Sequence, residues 1–189
     1  MGKTAAVILF LAVVAAAAPF APGTRFGMFG LDLRPFFGDL YYSYNERDVG
    51  LVDPLFRAGV YVRQDLALGA EMALFNTIPL ERDMFTSTPV FVFGPSAIYV
   101  FEPGRGDIRP YTTAGVGASY AFVPRRLGWR WKLGAGALLV TGSALAFGLE
   151  AGWYEDWARA PRWTGLRYAL VWQRGDAGFI GVRIMGIRW

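Results

Sequence analysis

Apolar and polar side chains alternate with a period of two along most of the chain after residue 21. The segment 66–75 shows the pattern: one phase holds only apolar residues, and the other mixes glycine, alanine and Phe75 with Glu71. Segments 108–120, 129–140 and 145–154 divide in the same way. Because successive side chains of a β-strand point to opposite faces, this pattern predicts strands with one apolar face and one face of small and charged residues.

Such strands fit either a soluble β-protein or a transmembrane barrel. Hydrophobic residues make up 54% of the 189 residues and charged residues only 18%. After the first twenty residues, no run approaches the ~20 apolar residues that a spanning helix needs. Within a membrane every backbone polar group must be paired inside the protein, so a closed barrel is the β-structure that can cross it. Glycines on the second face suit a narrow interior better than a soluble surface, and we therefore predict a barrel.

The N-terminus has the composition of a secretory signal peptide. Lys3 is the only charge before an apolar run from Ala5 to Ala18, and small residues and prolines follow it. A positive start, an apolar stretch of this length and small residues after it are typical of exported proteins. We predict that residues 1–21 form a signal peptide, cleaved between Ala16 and Ala21, and that residues 22–189 form the barrel domain.

The predicted fold class is all-β, a single antiparallel up-and-down transmembrane barrel. Bacterial barrels have an even number of strands, so we assign 162–173 to a long last outer loop, which leaves eight strands; ten is the alternative. The short connections at 63–65 and 141–143 are expected on the periplasmic side, and the longer polar connections outside. The nine candidate segments are 26–44, 55–63, 66–75, 90–101, 108–122, 129–140, 144–155, 162–173 and 179–189.

Six charged residues fall on the faces predicted to point into the barrel. An eight-stranded barrel is just wide enough for side chains to fill its interior, so we expect these charges to form a network that closes it. Two are acidic and four basic, and we expect water, carbonyl groups or further carboxylates such as Asp32 to compensate the excess. The six residues are Arg57, Glu71, Arg109, Arg130, Lys132 and Glu150.

Tryptophans cluster near the predicted later outer loops. Amphipathic aromatic rings are favoured at the membrane–water interface, so Trp129, Trp131, Trp153 and Trp163 are expected to form an aromatic girdle there. The chain ends on Trp189, at the end of an amphipathic strand.

Three stretches, 60–71, 109–120 and 131–137, together with the terminal Trp189, resemble the small bacterial outer-membrane β-barrel proteins. This group includes the transmembrane domain of OmpA and the OmpX- and OmpW-like barrels. The resemblance implies an outer-membrane location, membrane lipid as surroundings, and the barrel-assembly machinery as a partner that recognises the terminal aromatic residue. Arg183 is a departure, since it shares a face with Met185, Ile187 and Trp189. A charge on the lipid face is costly near the midplane, which leaves the register of the last strand open.

The chain contains no histidine and no cysteine. The enzymes of the resembled group each use a histidine in their catalytic set, so we expect no catalytic residues here. We also expect no cofactor and no metal site. Asp48 and Asp53 are interpreted as solvated charges of the first outer loop. The tripeptides 105–107 and 174–176, both Arg-Gly-Asp, are interpreted as hairpin turns.

Two functions remain open for such a barrel. The first is a structural or stress-related surface protein with an interior filled by side chains, and the alternative is a narrow channel for small or apolar solutes. A membrane enzyme is a third and weaker hypothesis. The net charge of +4 is spread along the chain without a block, which excludes nucleic acid as an expected partner. The sequence specifies no ligand.

Overall fold

The computed structural model describes residues 20–33, 48–49, 52–79, 88–101, 107–122, 126–141, 144–163 and 168–188. The predicted signal peptide lies outside these ranges up to residue 19, and Trp189 also lies outside them. Within the described ranges, no α-helix has the length and apolar character needed to traverse a bilayer.

Eight long strands form one closed antiparallel sheet, in which each strand pairs with the next and the last pairs with the first. The all-β class and the count of eight are therefore confirmed. A ninth strand of two residues pairs with Ile78 and Pro79 at the end of β4. The strands are β1 (Arg25–Leu33), β2 (Asp48–Val49), β3 (Val52–Arg63), β4 (Leu66–Pro79), β5 (Thr88–Val100), β6 (Ile108–Ala121), β7 (Arg126–Thr141), β8 (Leu145–Trp163) and β9 (Tyr168–Arg188).

The last hairpin is longer than the sequence pattern predicts. β8 and β9 have 19 and 21 residues, about twice the ~9–11 residues of a membrane-crossing strand. Their pairing continues to Trp163 opposite Tyr168. The prediction that 162–173 is a loop is thus wrong for residues 162–163 and 168–173, which belong to β8 and β9; residues 164–167 lie outside the described ranges. The predicted turn at 174–176 is wrong for the same reason, since it lies within β9.

The two faces of the sheet differ in the way the alternation predicts. Bulky apolar side chains cover the outside; Leu149 is 63% exposed and Ile180 is 56% exposed. Their neighbours along the strands, such as Glu150 and Gly181, point inward and are buried. An exposed apolar surface of this extent is unfavourable in water and matches the hydrocarbon interior of a membrane.

The inward face of β9 is the one that carries Arg183. Phe179, Arg183, Met185 and Ile187 are all buried inside the barrel, whereas Val182 and Ile184 are exposed outside. Arg183 therefore points into the barrel and not toward lipid. The apolar residues that share its face, Met185 and Ile187, line the interior as well.

Residues 20–24 cover the end of the barrel that has the short turns, which we call the periplasmic end. Phe20 is buried in the interior, and its carbonyl accepts a hydrogen bond from the Asp65 backbone N–H at 3.1 Å. The N–H of Gly23 donates to the Tyr61 carbonyl at 2.7 Å. Cleavage before Phe20 would preserve these contacts in the mature protein, and the exact cleavage site stays a prediction.

Substitutions on the outward face test how deep each position of the barrel lies in the membrane. Leu149 lies midway along the apolar band of β8, and the exposed Leu127 lies at the start of β7, beside the loop. Arginine on the lipid face costs about 2–4 kcal/mol at the midplane and about 0–1 kcal/mol near an interface. We expect Leu149→Arg to lower the free energy of unfolding by the larger amount and Leu127→Arg by the smaller, measured by denaturant titration in lipid vesicles. Equal costs at both positions would contradict this placement of the barrel.

Candidate functional site

The interior of the barrel is the candidate site, and it is built in three layers. The periplasmic layer is apolar and aromatic. Its members come from β1 and from β3 to β9, with Phe20 added from the N-terminal segment. They are Phe20, Phe26, Met28, Tyr61, Ala67, Ile98, Val100, Tyr111, Leu138, Ala146, Met185 and Ile187.

The outer layer is also largely apolar, and it includes a buried ion pair. Arg130 forms a salt bridge with Asp156, and both side chains are buried. The guanidinium carbon of Arg130 lies 3.6 Å from the ring centre of Phe75 and 4.3 Å from that of Tyr154, which adds cation–π attraction in a desolvated position. The apolar members of this layer are Leu55, Ala73, Phe75, Val90, Val92, Ala121, Tyr154, Ala158, Ala177 and Phe179.

Six charged side chains lie between the two apolar layers, and we call them the charge layer. Three are acidic and three are basic, so the layer is formally neutral. All six are buried. They are Asp32, Arg57, Glu71, Lys132, Glu150 and Arg183.

Glu150 is the centre of the charge layer. Its carboxylate accepts hydrogen bonds from Arg57 at 3.1 and 3.3 Å and from Arg183 Nε at 2.8 Å. Two neutral groups complete its surroundings: the Tyr111 hydroxyl donates at 3.1 Å and the Thr113 hydroxyl at 2.9 Å. A buried carboxylate is stable only when such donors replace its water.

The remaining members extend the layer to both sides of Glu150. Arg57 also forms a salt bridge with Glu71. On the other side, Arg183 Nη2 lies 2.5 Å from Asp32 Oδ1. Lys132 Nζ donates to the second oxygen of Asp32 at 2.8 Å. Each acid therefore contacts a base, and the chain of ion pairs crosses the interior.

The six residues chosen from the sequence separate into three groups. Arg57, Glu71, Glu150 and Lys132 lie together in the charge layer. Arg130 belongs to the outer layer with Asp156. Arg109 is half-buried on β6 near the periplasmic end, away from the charge layer. Four of the six predicted residues therefore share the charge layer with Asp32 and Arg183, and in that layer the acidic and basic residues are equal in number.

Sequence reasoning missed three charges that are buried on the inner face of the barrel wall. Arg183 was set aside because its face of β9 is mostly apolar, although Gly181 on the same face matches the glycine-bearing inner faces of the other strands. Asp156 was assigned to a loop because β8 was ended too early. Asp53 was interpreted as a solvated loop charge, but it is buried within β3, so that interpretation is wrong.

Inner glycines make room for the charge layer. A methyl group at Gly134 would lie 2.4 Å from Glu150 Oε1, and one at Gly181 would lie 2.2 Å from both Arg183 Nη1 and Asp32 Oδ1. These separations are far below van der Waals contact, so the charged groups occupy the space that any larger residue would need. At Gly115, on an inner face too, the nearest atom would lie at an ordinary 3.6 Å.

A small cavity lies beside the charge layer. A cavity of about 10 Å³ lies next to Glu71, Arg130 and Lys132, which is about the smallest volume that holds one water molecule. In the parts of the chain that the structure describes, no group of acidic, histidine or cysteine side chains is arranged to bind a metal ion.

Aromatic side chains mark the outer rim of the lipid-facing surface. Trp129 and Trp153 are each 39% exposed, and Trp131 is half-buried on the same outward face. Trp129 stacks on Trp157 with ring centres 5.8 Å apart. The side chain of Trp163 lies outside what the structure describes. A girdle at the outer interface is therefore still a prediction, and these positions agree with it.

Comparison with solved structures identifies this architecture. No protein-family model matches the chain, and no curated protein sequence matches it either. Neisserial surface protein A has a TM-score of 0.55 at 12% identity, covering 86% of this chain and 95% of its own. AlkL, solved in lipid bilayers, gives 0.54 at 10% identity, covering 92% and 93%. Outer membrane protein W of E. coli gives 0.52 at 13% identity, covering 89% and 99%. The chain thus has the fold of the small outer-membrane β-barrels.

Substitution of the inner glycines tests the packing of the charge layer. We expect Gly134→Ala and Gly181→Ala each to lower the free energy of unfolding by about 1–3 kcal/mol, the range for overpacking a well-packed interior. Gly115→Ala is the matched control, because its methyl group meets only ordinary contacts. Denaturant titration of the three variants provides the measurement. A loss at Gly115 as large as the loss at the other two would show that glycine itself, rather than the space beside the charges, is what matters.

Proposed function

We propose that the protein is an outer-membrane barrel with a structural or surface role, and that its interior does not conduct. The observation that supports this proposal best is the neutral charge layer enclosed between two apolar layers. The apolar exterior favours a membrane location, and the fold is that of outer-membrane barrels.

The charge layer obstructs passage for an electrostatic reason. A permeating ion would have to separate at least one ion pair, and each separated charge would be left buried without a partner. Removing one partner of a buried pair costs about 3–5 kcal/mol. The apolar layers on both sides restrict the water that could otherwise compensate the separated charges.

A catalytic role has no support in the chemistry of the chain. The sequence contains no histidine and no cysteine, which removes the commonest general base and the strongest nucleophile. The carboxylates of the charge layer already accept hydrogen bonds from arginine, lysine and hydroxyl groups, which makes them poor bases toward a substrate. We propose that the protein is not an enzyme.

Two partners are proposed for biogenesis and residence: the barrel-assembly machinery and the lipid of the outer membrane. The assembly role rests on the terminal aromatic Trp189, which lies outside the described residues, so this role remains a prediction from the sequence.

Single-barrel conductance in a planar bilayer tests the closed interior. We expect wild-type protein to show no steady conductance. Glu150→Ala should open a small conductance and lower the free energy of unfolding by roughly 3 kcal/mol, because Arg57 and Arg183 lose their shared partner.

The matched control is Glu155→Ala, which removes a glutamate from the outer face of the same strand. It should leave the bilayer silent. Folding of each variant is checked by the difference in gel mobility between boiled and unboiled samples. Steady wild-type conductance that Glu150→Ala does not increase would contradict the proposal and would support a narrow channel instead.

A further inference from the structure

Pro95 lies near the middle of β5, beside the charge layer. The pairing of β5 with β4 is continuous through this position, where Gly94 lies opposite Glu71. The pairing of β5 with β6 is interrupted there, since it runs up to Phe93 and resumes at Ser96. Proline has no backbone N–H and is therefore usually kept out of central strands. The interruption indicates that the hydrogen bond which Pro95 cannot donate belongs on the β6 side.

The group that loses a donor is the backbone carbonyl of Val116. The register of the two strands is unchanged across the interruption, so Val116 lies opposite Pro95. The Val116 side chain is 50% exposed on the lipid-facing surface, and lipid tails offer no donor. Within a membrane, a backbone polar group must find its partner inside the protein or in a water-filled cavity. A donor for this carbonyl must therefore come from the interior of the barrel.

The cavity of about 10 Å³ beside the charge layer lies at this interruption. Pro95 and Val116 line it from the wall. Glu71, Arg130 and Lys132 line it from the interior, and all three charged side chains are buried. Val92 and three glycines complete the lining, namely Gly94, Gly115 and Gly117. The cavity thus connects the carbonyl that lacks a donor with buried charged groups.

Two of the residues around the cavity are the ends of the charge layer. The ion pairs of that layer form a chain with Glu71 at one end and Lys132 at the other. A single molecule in the cavity can contact both residues and so close the chain into a ring.

The charges around the cavity favour a neutral ligand that both donates and accepts hydrogen bonds. Glu71 would repel an anion, and Arg130 together with Lys132 would repel a cation. The volume suits one water molecule, and a buried water typically makes about three hydrogen bonds. The Val116 carbonyl, the Glu71 carboxylate and the Lys132 ammonium provide that number. The ammonium has three N–H donors, and one of them donates to Asp32 at 2.8 Å.

We propose that the cavity binds one water molecule, which replaces the N–H that Pro95 lacks. The water donates one hydrogen bond to the Val116 carbonyl and one to the Glu71 carboxylate, and it accepts one from Lys132. It therefore completes the pairing of β5 with β6 from inside the barrel and closes the chain of ion pairs into a ring. This proposal does not depend on whether the barrel conducts.

Water-selective NMR of the isotope-labelled barrel in lipid nanodiscs tests the proposal. A water molecule held in the cavity transfers magnetisation to the backbone protons of Gly94 and Gly117, and we expect both cross-peaks in the wild type. Pro95→Ala supplies the missing N–H. The new amide should be protected from hydrogen exchange by its bond to Val116, and both cross-peaks should weaken because the water loses one of its three partners.

Gly115→Ser displaces the water without removing a charge. The serine Cβ would lie 3.9 Å from Glu71 Oε2, so its hydroxyl can reach into the cavity and donate to that carboxylate. Both cross-peaks should then disappear. Pro110→Ala is the matched control, because it also adds an N–H to a barrel strand but lies outside the cavity lining, and it should leave both cross-peaks unchanged. Folding of each variant is checked by the gel mobility of boiled and unboiled samples.

A wild type without the two cross-peaks would overturn the proposal. Cross-peaks that survive Gly115→Ser undiminished would overturn it as well, because proton exchange from the Lys132 ammonium would then account for the signal. Unchanged cross-peaks in Pro95→Ala, or a new amide that exchanges rapidly, would show that the water does not replace the N–H missing at Pro95 and would also overturn the proposal.

Discussion

The carboxylate of Glu150 is the interaction on which the interior depends. It lies in the middle of the barrel, in contact with two arginines and two hydroxyl groups. A charge in this position is tolerable only if its donors replace water on every side. The neighbouring features follow from that requirement. Glycines on adjacent strands provide the space, and Thr113 and Tyr111 supply the neutral donors. The two arginines in turn form ion pairs with the other acids, Glu71 and Asp32.

The charge layer also constrains how the strands can pair. Its six members come from six different strands, namely β1, β3, β4, β7, β8 and β9, and β6 contributes the two hydroxyl donors. Shifting any strand by one residue would turn its inward charge toward lipid, where a charged side chain is costly. The ion pairs therefore help to select one register around the barrel, in addition to closing its interior. Apolar interior residues alone would discriminate less between alternative strand registers, because alanine, valine and leucine are tolerated on either face of the sheet.

Much of the fold follows from the alternation of side chains, and the limits of that alternation explain what was missed. The inner faces of β4, β6, β7 and β8 were predicted correctly because each combines glycine with a charge while the outer face is apolar. The inward face of β9 was harder to predict from the sequence, since Met185 and Ile187 make that face nearly as apolar as the outer one. Ion-pair partners could not be predicted, because Glu150 meets Arg57 and Arg183 across the interior, and that meeting depends on closure and register. The length of β8 and β9 was underestimated because the end of β8, residues 159–163, has no wholly apolar phase of the kind that marks the membrane strands.

A double-mutant cycle between Glu150 and Arg183 tests most directly whether the charge layer is one coupled unit. Glu150→Gln, Arg183→Gln and the double variant are unfolded by denaturant in the same lipid vesicles as the wild type. If the account is correct, each single variant leaves a buried charge uncompensated, and the double variant is more stable than the sum of the two losses predicts by about 1 kcal/mol or more. Additive losses would show that the two side chains act independently and would contradict the account.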